Sequence, residues 1–151
     1  MCGIDTLHKN DIADIVKQCL PLNEDEKQES PYRITINGHD FSTHVEVMIH
    51  KHNDYVGKFC LEELPGNATV AVSHGMYITD KFRGQGFATA LQEAKKRIAH
   101  SSGVLTLMCT TNSANEIENQ ILMKHGWNQV GRVKNYTHDH TFIWTKEVER
   151  G

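Results

Sequence analysis

Apolar residues at helical spacing mark two amphipathic segments of the chain. The first runs from Ile12 to Leu20, and Pro21 ends it because proline has no amide hydrogen to continue the helix. The second extends from Phe87 to Ile98. Between Asn23 and Ser30 the chain is polar and acidic, so we expect that segment to be exposed.

A third helix is expected in the last third of the chain. Ser113-Ala114-Asn115-Glu116 has the pattern of a capping box, in which the first and last side chains satisfy amides at a helix start. Ile117 and Ile121 would form the buried face of this helix. Gly126 stands where a left-handed C-terminal cap is expected.

The remaining apolar segments are short and predict strands. Asn37-Gly38 indicates a turn, and Asn53-Asp54 should lie at the tip of a hairpin. We find no internal repeat, linker or second domain, so residues 1–151 should form one domain. The expected strands are Cys2–Thr6, Tyr32–Ile36, His44–His50, Tyr55–Leu61, Thr69–Ile78, Val104–Cys109, Gln129–Lys134 and Thr141–Lys146.

Composition narrows the class of protein. The 151 residues are 38% hydrophobic and 23% charged, as in an ordinary globular domain. No run of 18 apolar residues and no signal peptide is present, which predicts a cytoplasmic protein without a membrane span. A formal net charge of −3 makes nucleic acid an unlikely partner. The four cysteines show no paired spacing and are expected to be reduced.

The most informative segment is a glycine-rich turn between a strand and a helix. Arg83-x-x-Gly86-x-Ala88 follows the strand that ends at Ile78 and precedes the helix that begins near Phe87. Free amides and the dipole at a helix start favour an anion such as a pyrophosphate. A Walker A loop would need Gly-Lys before Ser or Thr, and a dinucleotide fingerprint would need glycine at Thr89.

This loop resembles motif A of the GNAT superfamily of N-acetyltransferases, which holds the pyrophosphate of acetyl-coenzyme A. The run from Asn115 to Trp127 resembles the family's motif B, with the asparagine, the glycine and the following aromatic residue in place. Two positions depart from it: Glu118 replaces an alanine, and Leu122 stands where a tyrosine is common. The resemblance covers roughly residues 69 to 146, and the first half matches only in coarse organisation.

The resemblance implies an α+β fold. The family has a mostly antiparallel, twisted sheet of about seven strands with a splayed parallel pair at its centre, flanked by about four helices. The pantetheine arm of the cofactor lies between the splayed strands. The cofactor-binding residues implied by the resemblance are Met76, Ile78, Arg83, Gly84, Gln85, Gly86, Phe87, Ala88, Thr89 and Asn115.

Acetyl transfer to an amine requires a base, an oxyanion donor and a leaving thiolate. His74 lies nine residues before Arg83, a spacing that resembles a strand histidine of arylalkylamine N-acetyltransferases, and it is the first candidate for the base. Glu62 and Glu63 are the alternatives. The resemblance implies the backbone amide of Ile78 as oxyanion donor.

Proton donation to the leaving thiolate has no obvious residue in the sequence. Leu122 cannot serve as the acid, and Tyr136 or His125 could replace the missing tyrosine. Since an alkyl thiol has a pKa of about 8.5, transfer could also proceed without an acid.

The chain has ten histidines, two pairs of which invite a comparison with metal sites. His50-Lys51-His52 and His138-Asp139-His140 each place two imidazoles on one side of an extended chain. A structural zinc site needs four ligands, so we interpret both pairs as exposed hairpin tips and expect no metal.

Two functions remain open. The first is an acetyl-coenzyme A-dependent N-acetyltransferase, monomeric or homodimeric, acting on a primary amine of a small molecule or protein. The second is a coenzyme A-binding or interaction protein that keeps the fold with weak or no catalysis, an alternative that Leu122 and Glu118 favour.

Overall fold

Three helices and seven strands form the described part of the chain. The computed structural model describes residues 8–38, 44–137 and 139–148. The helices are α1 (Lys9–Cys19), α2 (Phe87–Ser101) and α3 (Glu116–Lys124), with short 3₁₀ turns at Glu24–Glu26 and Asp80–Phe82. The strands are β1 (Tyr32–Gly38), β2 (His44–Lys51), β3 (Asp54–Leu64), β4 (Asn67–Ile78), β5 (Thr106–Asn112), β6 (Asn128–Lys134) and β7 (His140–Glu147).

All seven strands belong to one sheet, in the order β1-β2-β3-β4-β5-β7-β6. Every neighbouring pair is antiparallel except β4 and β5, which are parallel and are connected through α2. This architecture confirms the predicted mixed sheet with a parallel pair at its centre. No helix of the described residues is both long and apolar enough to cross a membrane.

The core lies between the β1–β4 half of the sheet and the helices α1 and α2. From the strands, Val47, Ile49 and Phe59 contribute fully buried side chains. Against them pack the buried stripes of the two helices, represented by Val16 and Leu91. Each such side chain contributes roughly 1.5–3 kcal/mol by leaving water. The packing fixes the orientation of α2, and with it the position of the glycine loop.

The third helix begins two residues later than predicted. Asn115, not Ser113, is its N-cap, and the Asn115 Oδ1 accepts a hydrogen bond from the amide of Glu118 at 3.2 Å. The hydroxyl of Ser113 is engaged elsewhere, because it accepts a hydrogen bond from the amide of His140 in β7 at 3.0 Å. The capping-box prediction was therefore wrong.

The buried face of α3 also differs from the prediction. Ile117 is 76% exposed, and Ile121 is only partly buried. Asn119 and Leu122 face inward instead. Asn119 is accommodated because its side chain hydrogen-bonds Thr111 and two backbone carbonyls.

The turn predictions have mixed outcomes. The β2–β3 hairpin is confirmed, and its tip residues His52 and Asn53 have positive φ values of 50° and 77°. Gly126 is left-handed, with φ of 83°, as expected after a helix. Asn37 and Gly38 lie within β1, where they pair with Glu46 and Val45, so the prediction of a turn at these two residues was wrong. The predicted first strand, Cys2–Thr6, lies outside the described residues.

Candidate functional site

A cavity opens where the two parallel strands diverge. β4 and β5 pair only from Val70 to Val72, opposite Thr106 to Met108, although β4 continues to Ile78. The space between their separated ends has a volume of about 980 Å³. That is the upper end of the range of about 300–1,000 Å³ typical of small-molecule sites.

The glycine loop forms one end of this cavity. Gly84 and Gly86 have positive φ values of 74° and 89°, and both line the cavity. A Cβ atom at Gly84 would meet nothing within 4 Å, so the backbone is open to a ligand. Gly86 is the N-cap of α2 and has no side chain to cover the first amides of the helix. The loop therefore has the geometry of a phosphate cradle.

Arg83 stabilises the turn that leads into the loop. Its Nη1 lies 2.6 Å from the carboxylate of Asp80, and its Nε donates a hydrogen bond to the carbonyl of Ile78 at 3.0 Å. The guanidinium group also lies over the ring of Tyr77, 5.9 Å from its centroid. The side chain remains more than half exposed at the edge of the cavity, so it is accessible to an anion.

A bulge in β4 changes the direction of the strand beside the cavity. Gly75 and Met76 together oppose Phe59 of β3, and Gly75 has a φ of 65°. The sequence carried a signal for this feature, because an isolated glycine within a strand pattern often marks a bulge. The bulge was not predicted.

Beyond the bulge, the amide of Ile78 faces the cavity. Thr79 donates its amide hydrogen to the carbonyl of Val56 in β3 at 2.9 Å. Neighbouring residues of a strand direct their amides to opposite edges, so the Ile78 amide points away from β3. That edge is the one from which β5 has separated. The amide can therefore donate to a ligand.

His74 lies farther along β4 and also lines the cavity. Its Nε2 is 3.5 Å from the Glu62 carboxylate on the neighbouring strand β3. The ring of His44 packs edge-on against it, with 5.6 Å between the centroids. Glu62 does not line the cavity itself, so it lies behind His74 rather than beside it as a rival base. Glu63 is likewise not among the lining residues.

One group of side chains has the composition of a metal site. His44, Cys60 and His74 each offer a donor atom within 4.8 Å of the others. Three protein donors fall one short of the four that close a structural zinc site. Of the two histidine pairs noted in the sequence, His52 is exposed at the β2–β3 tip, whereas His138 lies outside the described residues.

Besides Glu62, two further predicted site residues do not line the cavity. Gln85 donates a hydrogen bond to the carbonyl of Lys81 at 2.9 Å. Tyr136 is 97% exposed in the turn between β6 and β7, away from the cavity lining. The Tyr136 hydroxyl belongs to the β6–β7 turn, and the sequence pattern does not predict where that turn lies relative to the cavity.

Asn115 lies at the cavity, but its side chain is already engaged. In addition to the capping bond, its Nδ2 donates to the Glu118 carboxylate at 2.9 Å. Glu118, one of the two departures from motif B, thus completes a reciprocal cap. The local capping role is the one that these contacts favour.

Two polar residues of the cavity, Gln92 and Lys95, were missed in the sequence. Gln92 and Lys95 extend from α2, and both contact the sulfur of Met76, at 3.6 Å and 3.1 Å. The indole of Trp127 donates to Gln92 at 3.3 Å. Lys95 could have been noticed, because it falls on the same helix stripe as Leu91 and Ile98, where a lysine is unexpected.

Comparison with known proteins places this geometry in a family. The model of the Acetyltransferase (GNAT) family matches residues 9–127, which is more than half of the chain. No curated protein sequence matches at significant similarity.

Several solved structures share the fold. Ard1 from Thermoplasma volcanium has a TM-score of 0.64 and 16% identity, covering 70% of this chain and 71% of that chain. An N-acetyltransferase from Staphylococcus aureus has a TM-score of 0.62 and 14% identity, covering 70% and 68%. RimL, a ribosomal L7/L12 alpha-N-protein acetyltransferase in complex with coenzyme A, has a TM-score of 0.60 and 14% identity, covering 70% and 62%. At these identities the likeness concerns the fold.

Proposed function

The chain belongs to the GNAT acetyltransferase family, and we propose that it transfers an acetyl group from acetyl-coenzyme A to a primary amine by direct attack in a ternary complex. The observation that carries this proposal is the glycine loop at the start of α2, opening into the cavity between the diverging strands β4 and β5. An anion cradle continuous with a long cavity suits a pyrophosphate with an extended arm attached.

The residues present fit this cofactor. Gly84, Gly86 and the first amides of α2 would hold the pyrophosphate, with Arg83 at the edge of the loop. The free edge of β4 from Ser73 to Ile78 offers backbone groups to the amides of the pantetheine arm. When bound, acetyl-coenzyme A supplies an acetyl group activated as a thioester.

His74 acts as the general base in this proposal. The acceptor reacts as the neutral amine, and His74 accepts the proton that its nitrogen loses on forming the bond to the acetyl carbon, directly or through a water molecule. The carboxylate of Glu62, 3.5 Å from the Nε2 of His74, orients the ring. The amide of Ile78 donates to the carbonyl oxygen on which negative charge develops.

The acceptor is a primary amine on a small molecule or a protein. RimL acts on a ribosomal protein by its name, whereas nourseothricin acetyltransferase, which has a TM-score of 0.63, is named for an antibiotic. Both classes of acceptor are therefore compatible with this fold, and they differ in the surface around the cavity.

A coenzyme A-binding protein without turnover is the second candidate. Leu122, which is buried at the cavity, cannot donate a proton at the position where relatives often carry a tyrosine. Release of free thiol from acetyl-coenzyme A in the presence of a panel of amines distinguishes the two functions. Binding without thiol release on any amine would favour the second.

The binding site has a test of its own with a matched control. Gly86→Asp places a carboxylate in the cradle, and we expect calorimetry to show a loss of coenzyme A binding of at least tenfold, about 1.4 kcal/mol. Gly66→Asp is the control, since Gly66 has a similar φ of 81°, is equally open and does not line the cavity. Equal affinities for the two variants would refute the assignment of the loop.

A further inference from the structure

Lys95 is a buried amine at the centre of the cavity. Only 2% of its surface is exposed, although its side chain lines the cavity. Its Nζ lies 3.1 Å from the sulfur of Met76 and 5.9 Å from the ring centroid of Phe59. Among the described residues, no carboxylate forms an ion pair with it. A thioether sulfur is a weak acceptor, so the ammonium group has no strong partner of its own.

The surroundings of Lys95 favour release of its proton. Burial lowers the pKa of this amine from 10.5 to about 8. The carboxylate of Glu118 on α3 opposes this shift to a smaller extent. Burial also raises the pKa of the Cys109 thiol to about 12, so that residue stays neutral and supplies no counter-charge.

The position of Lys95 excludes the pyrophosphate as its anionic partner. It lies nine residues after Gly86, and at 1.5 Å per residue this is roughly 13 Å along α2 from the phosphate cradle. Its contact with Met76 puts the amine beside β4, two residues before Ile78. A pantetheine arm bound at this depth would be neutral, and only the reaction itself would create negative charge, on the carbonyl oxygen and on the sulfur.

We propose that Lys95 is the catalytic acid that protonates the sulfur of coenzyme A as the thioester breaks. The inference rests on the proposed acetyl transfer. The amine nitrogen forms a bond to the acetyl carbon and loses one proton to His74. The carbon–sulfur bond breaks, the electron pair goes to sulfur, and the sulfur takes a proton from the Lys95 ammonium. Solvent then restores the proton on Lys95 and removes the one on His74.

This assignment accounts for two features at once. Leu122 removes the usual hydroxyl donor, and Lys95 supplies a donor on the facing helix of the same cavity. Its pKa of about 8 is close to that of an alkyl thiol, about 8.5, which is the matching that efficient proton transfer requires. The contact with Met76 holds the amine beside β4, next to the strand edge along which the pantetheine arm would lie.

The first test measures ionisation of the bound thiol and needs no turnover. The thiolate absorbance of coenzyme A in complex with the protein is titrated against pH, with the desulfo-coenzyme A complex as the blank. In the wild type the ammonium group stabilises the thiolate, so Lys95→Met should raise the pKa of the bound thiol by about one unit or more. Lys96→Met removes a charge from the outer face of the same helix and should leave that pKa unchanged. An unchanged pKa in Lys95→Met would overturn the proposal.

The second test measures turnover with two leaving groups. Lys95→Met should lose about 10²-fold or more in turnover with acetyl-coenzyme A, the usual scale for a general acid. With S-phenyl thioacetate the loss should nearly vanish, because the acidic thiophenol leaves without a proton. Lys95→Arg keeps the charge but holds its proton too tightly to donate it, so it should be as impaired as Lys95→Met.

Each result has a distinct meaning. Wild-type turnover by Lys95→Arg would show that charge alone is needed and would overturn proton donation. Equal losses with both leaving groups would also overturn it. Absence of thiol release by the wild type with every amine would instead refute the proposed acetyl transfer. In that case the acid role would fall with it, even if the thiol titration placed Lys95 beside the sulfur.

Discussion

Lys95 makes the folded protein less stable than an apolar residue at the same position would. An ammonium group taken out of water without a hydrogen-bonded anion costs free energy, and its neighbours here are the ring of Phe59 and the sulfur of Met76. The residue is straight and unbranched, so methionine would fill the same space without the charge. Lys95 therefore lowers the free energy of unfolding, and its proposed role as an acid would account for a lysine at this position.

The free-energy cost of burying the Lys95 ammonium group depends on pH. The folded-state pKa of Lys95 is depressed from 10.5 to about 8, so the unfolded state binds more protons between these values. Burial of the Lys95 ammonium group lowers the free energy of unfolding by on the order of 3 kcal/mol below about pH 8. This loss disappears above pH 10.5, where the amine is neutral in both states. Lys95→Met should therefore exceed the wild type in stability at pH 7, and the difference should shrink from pH 8 upward. Denaturant titrations of both proteins across this range measure it, and a pH-independent difference would contradict it.

His74, with Glu62 beside it, is the base in the proposed function. His74→Gln keeps size and polarity but cannot accept a proton, so turnover should fall roughly 10²- to 10⁴-fold while coenzyme A binding persists. Thiol release measures the turnover, and calorimetry measures the binding. Near-normal turnover of His74→Gln would assign the residue to structure.

Helices α1 and α2 were predictable because local periodicity and burial agree. Their apolar stripes, with Val16 and Leu91 as examples, face the core as expected. The start of α3 was not predictable, because the hydroxyl of Ser113 is taken by an amide of β7. That contact joins residues 27 positions apart in the sequence. Local pattern cannot reveal such competition for a hydroxyl group.

The N-cap of α3 allows a prediction about the stability that this helix gives to the fold. Asn115→Ala removes the acceptor for the Glu118 amide and the donor to its carboxylate, so we expect a loss of about 1 kcal/mol in unfolding free energy. Asn115→Ser retains a capping oxygen and should recover most of the loss. Thermal unfolding checks both. A raised Michaelis constant for acetyl-coenzyme A in Asn115→Ala, with no loss of stability, would identify a direct contact with the cofactor instead.

At the scale of the whole molecule, sheet topology creates the site. The parallel pair β4–β5 lies near the middle of an otherwise antiparallel sheet, and its short pairing leaves the cavity open at one end. The motifs predicted the loop and the splayed pair. They did not predict Lys95 or the Gly75 bulge as parts of the site, because the strand register and the helix rotation together decide which side chains meet there.

Gly57 tests whether the alignment of β3 with β4 sets the geometry of the site. Its backbone conformation is open to any residue, yet a Cβ atom would overlap the backbone carbonyl of Tyr77, which a strand cannot move aside cheaply. Gly57→Ala should therefore force β4 away from β3 next to Ile78, with a loss of about 1–3 kcal/mol or more in unfolding free energy. Displacement of the Ile78 amide should also lower turnover in molecules that remain folded.

Gly131 provides the matched control for this variant. It too lies within a strand, but a Cβ atom there would be in ordinary contact with Ile143, at 3.6 Å. Gly131→Ala should change the unfolding free energy by no more than about 0.5 kcal/mol. Chemical denaturation compares the two variants, and thiol release per folded molecule reports on the site. If Gly57→Ala were as stable and as active as Gly131→Ala, the contact between β3 and β4 would not be what positions the amide of Ile78 at the cavity.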